Sequence, residues 1–174
     1  MRKLHFISVL MCMIFYSAST FAQLMPNNND LTDSSLARWM QSNHSMELLM
    51  DAIDSELTTP ELYDAFESLS SQQQDAKIAE ILAHHQLDEQ ALRVVRQYGW
   101  KSVGEFRRYG NKLGNAIAAY FVSQDVDGLE EAQKILVLER MDPVVLSVSQ
   151  DDINFIAAHE DVLSKYIQSY KSSL

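Results

Sequence analysis

Cysteine, proline and glycine are scarce in this sequence: one Cys, three Pro and five Gly among 174 residues. A lone cysteine, Cys12, cannot form an internal disulfide, so a disulfide-stapled scaffold is excluded. So few prolines and glycines exclude a collagen-like chain, and 47% hydrophobic with 22% charged residues is too apolar for a disordered one. Positive charge is also short, with 14 Lys and Arg against 24 Asp and Glu, a formal net charge of -10 and a pI near 4.8. Such a surface repels phosphate backbones at long range and disfavours a general nucleic-acid binder. What remains is an ordinary globular composition of a length that suits one domain.

The N-terminus carries the clearest signal. Met1-Arg2-Lys3 is basic, and Leu4 to Tyr16 is apolar but for His5 and Ser8. Thr20 and Ala22 then frame a small-x-small cleavage site before Gln23. Basic, apolar and small regions in that order make a secretory signal peptide, and the apolar run is well short of the ~20 residues that a membrane span needs. The lipoprotein pattern fails, because Met11 precedes Cys12 where a small residue is required. The expected organisation is a signal peptide at 1–22, a flexible polar leader at 23–30 and a helical domain at 31–174. The destination is the periplasm if the source is Gram-negative and secretion otherwise. Cleavage removes the only thiol, and the loss of Arg2 and Lys3 leaves 12 cations against 24 acids. No membrane contact beyond export is expected.

Helical periodicity runs through nearly all of the remaining chain. Leu36, Trp39 and Met40 share one face, and Leu49, Ile53 and Leu57 recur at i, i+4 and i+8. Thr59 with Pro60 reads as a cap and first helical residue over the Leu62–Leu69 segment. Ser70 to Gln74 reads as a polar connection, and Ile78, Ile81 and Leu82 mark the next helix. Asp88 is a candidate cap for a helix that Gly99 ends in a left-handed turn. Ser102 and Glu105 have the spacing of a capping box. The helix they open has apolar or small residues at Val103, Phe106, Gly110, Leu113, Ile117 and Tyr120, the alternating 3 and 4 spacing of a packed seam. Gly110 and Gly114 suggest close approach of another helix backbone. A helix through Leu129 to Met141, a lone β-like stretch at Val144–Val148, and a C-terminal helix interrupted near His159-Glu160 complete the chain. The fold class is all-α, a compact single domain of about six or seven short helices.

Recognisable chemistry is sparse. The loop from Ser123 to Gly128 has the early oxygen ligands of a calcium loop, but its twelfth position is Lys134, a cation where the site needs its strongest anion. Glu80, His84, His85 and Asp88 form the best metal or acid–base cluster, with Glu80 and His84 one helical turn apart. Spacing fixes no third ligand, adjacent histidines on a helix diverge, and imidazoles at a helix C-terminus are favoured by the dipole alone. No nucleophile elbow or phosphate loop appears, so no catalytic residue and no cofactor is assigned.

The strongest asymmetry is electrostatic. Arg93, Arg96, Lys101, Arg107, Arg108 and Lys112 fall in one window with only Glu105 against them, interleaved with Trp100, Phe106 and Tyr109. Arg108 and Lys112 project away from the apolar seam, toward solvent or a partner. Three readings follow: internal pairing with the acidic helices of the same molecule, contact with an acidic partner surface such as another copy, or contact with anionic lipid headgroups. The reading taken forward is an exported, non-catalytic interaction protein. In it Arg93, Arg96, Lys101, Arg107, Arg108 and Lys112 meet an acidic partner, with Trp100 and Tyr109 as apolar anchors. A metal-dependent envelope enzyme built on Glu80, His84 and Asp88 is one alternative. A carrier with an apolar cavity lined by methionines and tyrosines is the other.

Overall fold

A computed structural model describes residues 30–171. The expected signal peptide and all of the leader except Asp30 lie outside the described residues. The described chain is all-helical and has no strand. It holds eight helices: α1 (Asp33–Glu56), α2 (Pro60–Glu67), α3 (Ser71–His84), α4 (Asp88–Tyr98), α5 (Val103–Asp127), α6 (Glu131–Leu138), α7 (Pro143–Leu146) and α8 (Gln150–Lys171). The count exceeds six or seven because the β-like Val144–Val148 stretch is instead opened by a one-turn helix, which Asp142 caps and Pro143 starts. Pro at the first helical position lacks only an N–H that has no partner there anyway.

Local signals set most helix starts. Thr59 accepts from the Leu62 amide ahead of Pro60, and Ser102 accepts from Glu105 at 2.9 Å. The Glu105 carboxylate completes no box with Ser102; it takes the Lys101 amide at 2.6 Å. Ser70 to Gln74 is no connection. Ser70 and Gln73 form a reciprocal capping box, and α3 has already begun at Ser71. Asp88 is the first residue of α4 and not its cap; Leu87 stands at the cap without a side-chain bond. Gly99 ends α4 at φ 74° as expected, where only glycine is free of a Cβ penalty.

α5 is the centre of the fold, packed against α1, α3, α7 and α8, while α4 lies on α1 and α3. Its seam residues Val103, Phe106, Leu113 and Tyr120 are buried. α1 is one continuous helix that turns Leu36, Met46, Leu49 and Ile53 into the same core. Gly110 does admit a neighbour, but it is the Trp39 indole, whose Nε1 would lie 3.1 Å from an added Cβ. Gly114 is exposed and has nothing near it, so no backbone crossing explains it.

The interruption expected near His159-Glu160 is absent, and α8 runs unbroken through it. Both polar residues find tertiary partners on the helix. Tyr120 donates to Glu160 at 2.8 Å. The His159 ring stacks on Phe155 at 4.1 Å, and its Nε2 lies 3.1 Å from Asp33. Among the described residues no helix is long and apolar enough to cross a membrane.

Candidate functional site

The eight residues of the basic, aromatic window do not form one surface. Trp100 and Tyr109 are core residues. The Trp100 indole donates to the buried Ser42 hydroxyl at 2.9 Å and meets Phe106 edge-on at 5.6 Å. The Tyr109 hydroxyl accepts from Ser35 at 3.2 Å. Burial is the main reason that the Tyr109 phenol is pushed above its ordinary value. Arg38 lies over the Trp100 ring at 4.0 Å and donates to the Gly99 carbonyl, closing the aromatic cluster from outside. These two aromatics are therefore unfit to anchor a partner.

Three of the six cations are occupied inside the molecule. Arg107, 9% exposed, pairs with Glu67 at 2.6 Å and lies 4.9 Å from the Phe66 ring. Arg108 pairs with Asp75 at 2.8 Å and also reaches the Ser71 carbonyl and Gln74. Lys112 pairs with Asp152 at 3.3 Å. The face of α5 expected to meet solvent is covered by acidic side chains from α2, α3 and α8. Internal pairing thus accounts for these three, and their Coulomb gain is internal rather than available to a partner.

Arg93, Arg96 and Lys101 remain exposed. Arg93 sits 3.8 Å from Glu89, one turn earlier on α4. Arg96 and Lys101 have no ion pair among the described residues. Lys101 lines one end of an open groove of about 300 Å³ between α3, α4 and the start of α5, and Arg96 follows Val95, the last α4 residue of that lining. Its lining includes Ile78 and Leu82 from α3, Leu92 and Val95 from α4, and Val103. The stripe Asp88–Leu92–Arg96, at i, i+4 and i+8, runs along the α4 edge; Asp88 lines one end of the groove, and Lys101 with Asp75, which is paired to Arg108, lines the other. Leu92 is 52% exposed on this edge, whereas Ile78, Leu82, Val95 and Val103 are buried beneath it. Gly104 closes the Lys101 end, because the Asp75 carboxylate stands where any other residue would place its Cβ.

The other expected clusters change in composition. Glu80, His84 and Asp88 do not converge: Glu80 pairs with Lys77 at 2.9 Å, and Asp88 lies at the groove. His84 instead meets Glu56 together with His85. Ser123, Asp125 and Asp127 belong to the last turns of α5, so the calcium-like loop is helical. No methionine or tyrosine lines the groove, and Met46 is fully buried core. Sequence reasoning flagged Arg96 and Lys101 but missed the groove itself. The signal was there in the matched apolar faces of α3 and α4, though nothing local says that these faces leave a gap.

The geometry defines an all-helical domain with an apolar groove between α3 and α4 that Lys101 lines at one end. No protein-family model, no curated protein and no solved structure matches the chain.

Proposed function

We propose that the protein is an exported, non-catalytic interaction module. Its groove between α3 and α4 takes an apolar side chain of an acidic partner segment, whose carboxylates meet Arg96 and Lys101. The single observation that carries this reading is the open groove with the exposed Leu92 on its edge and, at one end, Lys101, which has no ion pair among the described residues. An aliphatic floor supplies the area for affinity, while rim charge sets partner choice and encounter rate. Export by cleavage before Gln23 is part of the same proposal and rests on the signal-peptide pattern alone.

Selection of a displayed random-peptide library on the folded protein tests it. Enriched peptides are expected to combine Leu, Ile or Phe with Asp or Glu, and to lose binding to Leu92→Asp and to Arg96→Glu/Lys101→Glu. Both variants alter exposed residues and are expected to keep the wild-type helical circular dichroism. Failure to enrich, or enriched peptides that bind both variants like wild type, contradicts the reading. A second copy of the chain as occupant would appear as a concentration-dependent dimer that Leu92→Asp dissolves, and would overturn the choice of partner.

A further inference from the structure

At the opposite end of α3 from Lys101, two helix ends converge. α1 finishes at Glu56 and α3 at His84, and the two helices pack together. Past the end of α3 the chain turns through Gln86 at φ 59°, the one non-glycine residue with positive φ among those described. The turn is held by the Gln86 amide on the Ala83 carbonyl at 3.0 Å and the Leu87 amide on the Leu82 carbonyl at 2.7 Å. This is the double bond of a Schellman motif, with glutamine where glycine is usual. It takes His85 out of the helix, so His84 and His85 no longer diverge. Both rings turn to one carboxylate, in a T-shaped pair with centroids 5.3 Å apart.

We propose that Glu56, His84 and His85 form a surface site for a divalent transition-metal ion of the zinc class. His84 Nδ1 lies 3.5 Å and His85 Nε2 3.2 Å from the same Glu56 oxygen, Oε1. A tetrahedral ion with bonds of about 2.0–2.1 Å places neighbouring donors about 3.3 Å apart. The two separations, the shorter of which is a His85–Glu56 hydrogen bond, match that donor spacing, and all three donor atoms lie within 4.8 Å of one another. Two imidazoles with one carboxylate suit zinc, copper or nickel over calcium or magnesium, which prefer oxygen donors. The surroundings favour a cation as well. Two helix C-termini direct their negative dipole ends here, and the last turns of α1 and α3 carry no Lys or Arg to compete. Exposure of the cluster leaves the remaining coordination positions to water. An ordinary His–Glu ion pair at this exposure needs only one imidazole; the turn at Gln86 supplies two.

Calorimetric titration of the full chain with Zn²⁺ tests the site. The background is His5→Ala/Cys12→Ser, which removes the ligand side chains of the N-terminal segment. One equivalent is expected to bind, and His84→Ala/His85→Ala to weaken it by roughly 10–100-fold or more. Glu56→Gln, nearly isosteric, is expected to weaken it as well, and His44→Ala/His159→Ala to leave it intact. With Cu²⁺, electron paramagnetic resonance is expected to show nitrogen couplings that the double histidine variant loses. No stoichiometric Zn²⁺ binding, or equal binding by wild type and the double histidine variant, overturns the site. Circular dichroism separates either outcome from unfolding, and these exposed side chains are outside the core.

Discussion

The regions around α5 and around α6 use apolar residues in opposite ways. In the first, Trp39, Trp100, Phe106 and Tyr109 enclose one another between α1 and α5, with stacking and edge contacts of 5.6–6.1 Å. In the second, α6 carries Ile135-Leu136-Val137-Leu138 yet has no buried residue, and Leu136 is 57% exposed. Val144 and Leu146 of α7 are also exposed. Apolar content therefore does not decide burial here. A two-turn helix offers one narrow stripe, and α6 makes only sparse contact with any other helix, whereas α5 is long enough to meet four neighbours.

The sharpest test of this contrast is Trp100→Ala, which empties the centre of the packed region and removes the indole donor to Ser42. It is expected to cost about 3–5 kcal/mol in denaturant unfolding. A loss below about 1 kcal/mol would mean that the aromatic cluster is not the stabilising core. Arg107→Ala comes next. Removing a shielded guanidinium from Glu67 and Phe66 is expected to cost about 1–3 kcal/mol, more than an exposed pair is worth. A neutral result would return Arg107 to the pool of surface cations.

Titration separates the regions again. Burial raises the Tyr109 phenol, and the hydrogen bond to Glu160 raises that of Tyr120, both above the ordinary 10.0. A raised folded value means that the stabilisation is fully present below pH 10.0 and is lost as pH rises through the folded values. Stability is expected to fall above pH 10.0, and Tyr109→Phe to flatten that fall. The α6–α7 segment holds no tyrosine and adds nothing to it. The smallest effect belongs to Leu136→Gln, expected to change unfolding free energy by no more than about 0.5 kcal/mol. A loss of several kcal/mol would show that α6 is packed after all.

The same contrast explains what was legible in the sequence. Caps and stops are local events, so Thr59-Pro60, Gly99 and Ser102 announce their helices. The α5 seam was legible because its periodicity reports directly on buried neighbours. The break at His159-Glu160 was misread because Tyr120 and Asp33, which accommodate those side chains, are far away in sequence. The basic window failed as a surface for the same reason. Glu67 stands 40 residues from Arg107 and Asp75 stands 33 from Arg108, and nothing in the window reveals that they cover it. Likewise, the histidine pair was visible but Glu56, 29 residues before His85, was not.

The proposed partner surface is the groove between α3 and α4, and neither the basic window nor the exposed apolar strip of α6 and α7. The most direct measurement is a methyl-resolved NMR titration of the protein with a selected acidic, apolar peptide. Saturable shifts are expected at the methyl groups of Ile78, Leu82, Leu92, Val95 and Val103, with Ile135, Leu136 and Leu138 unmoved. Shifts concentrated on Ile135, Leu136 and Leu138, with the groove methyls silent, would contradict it.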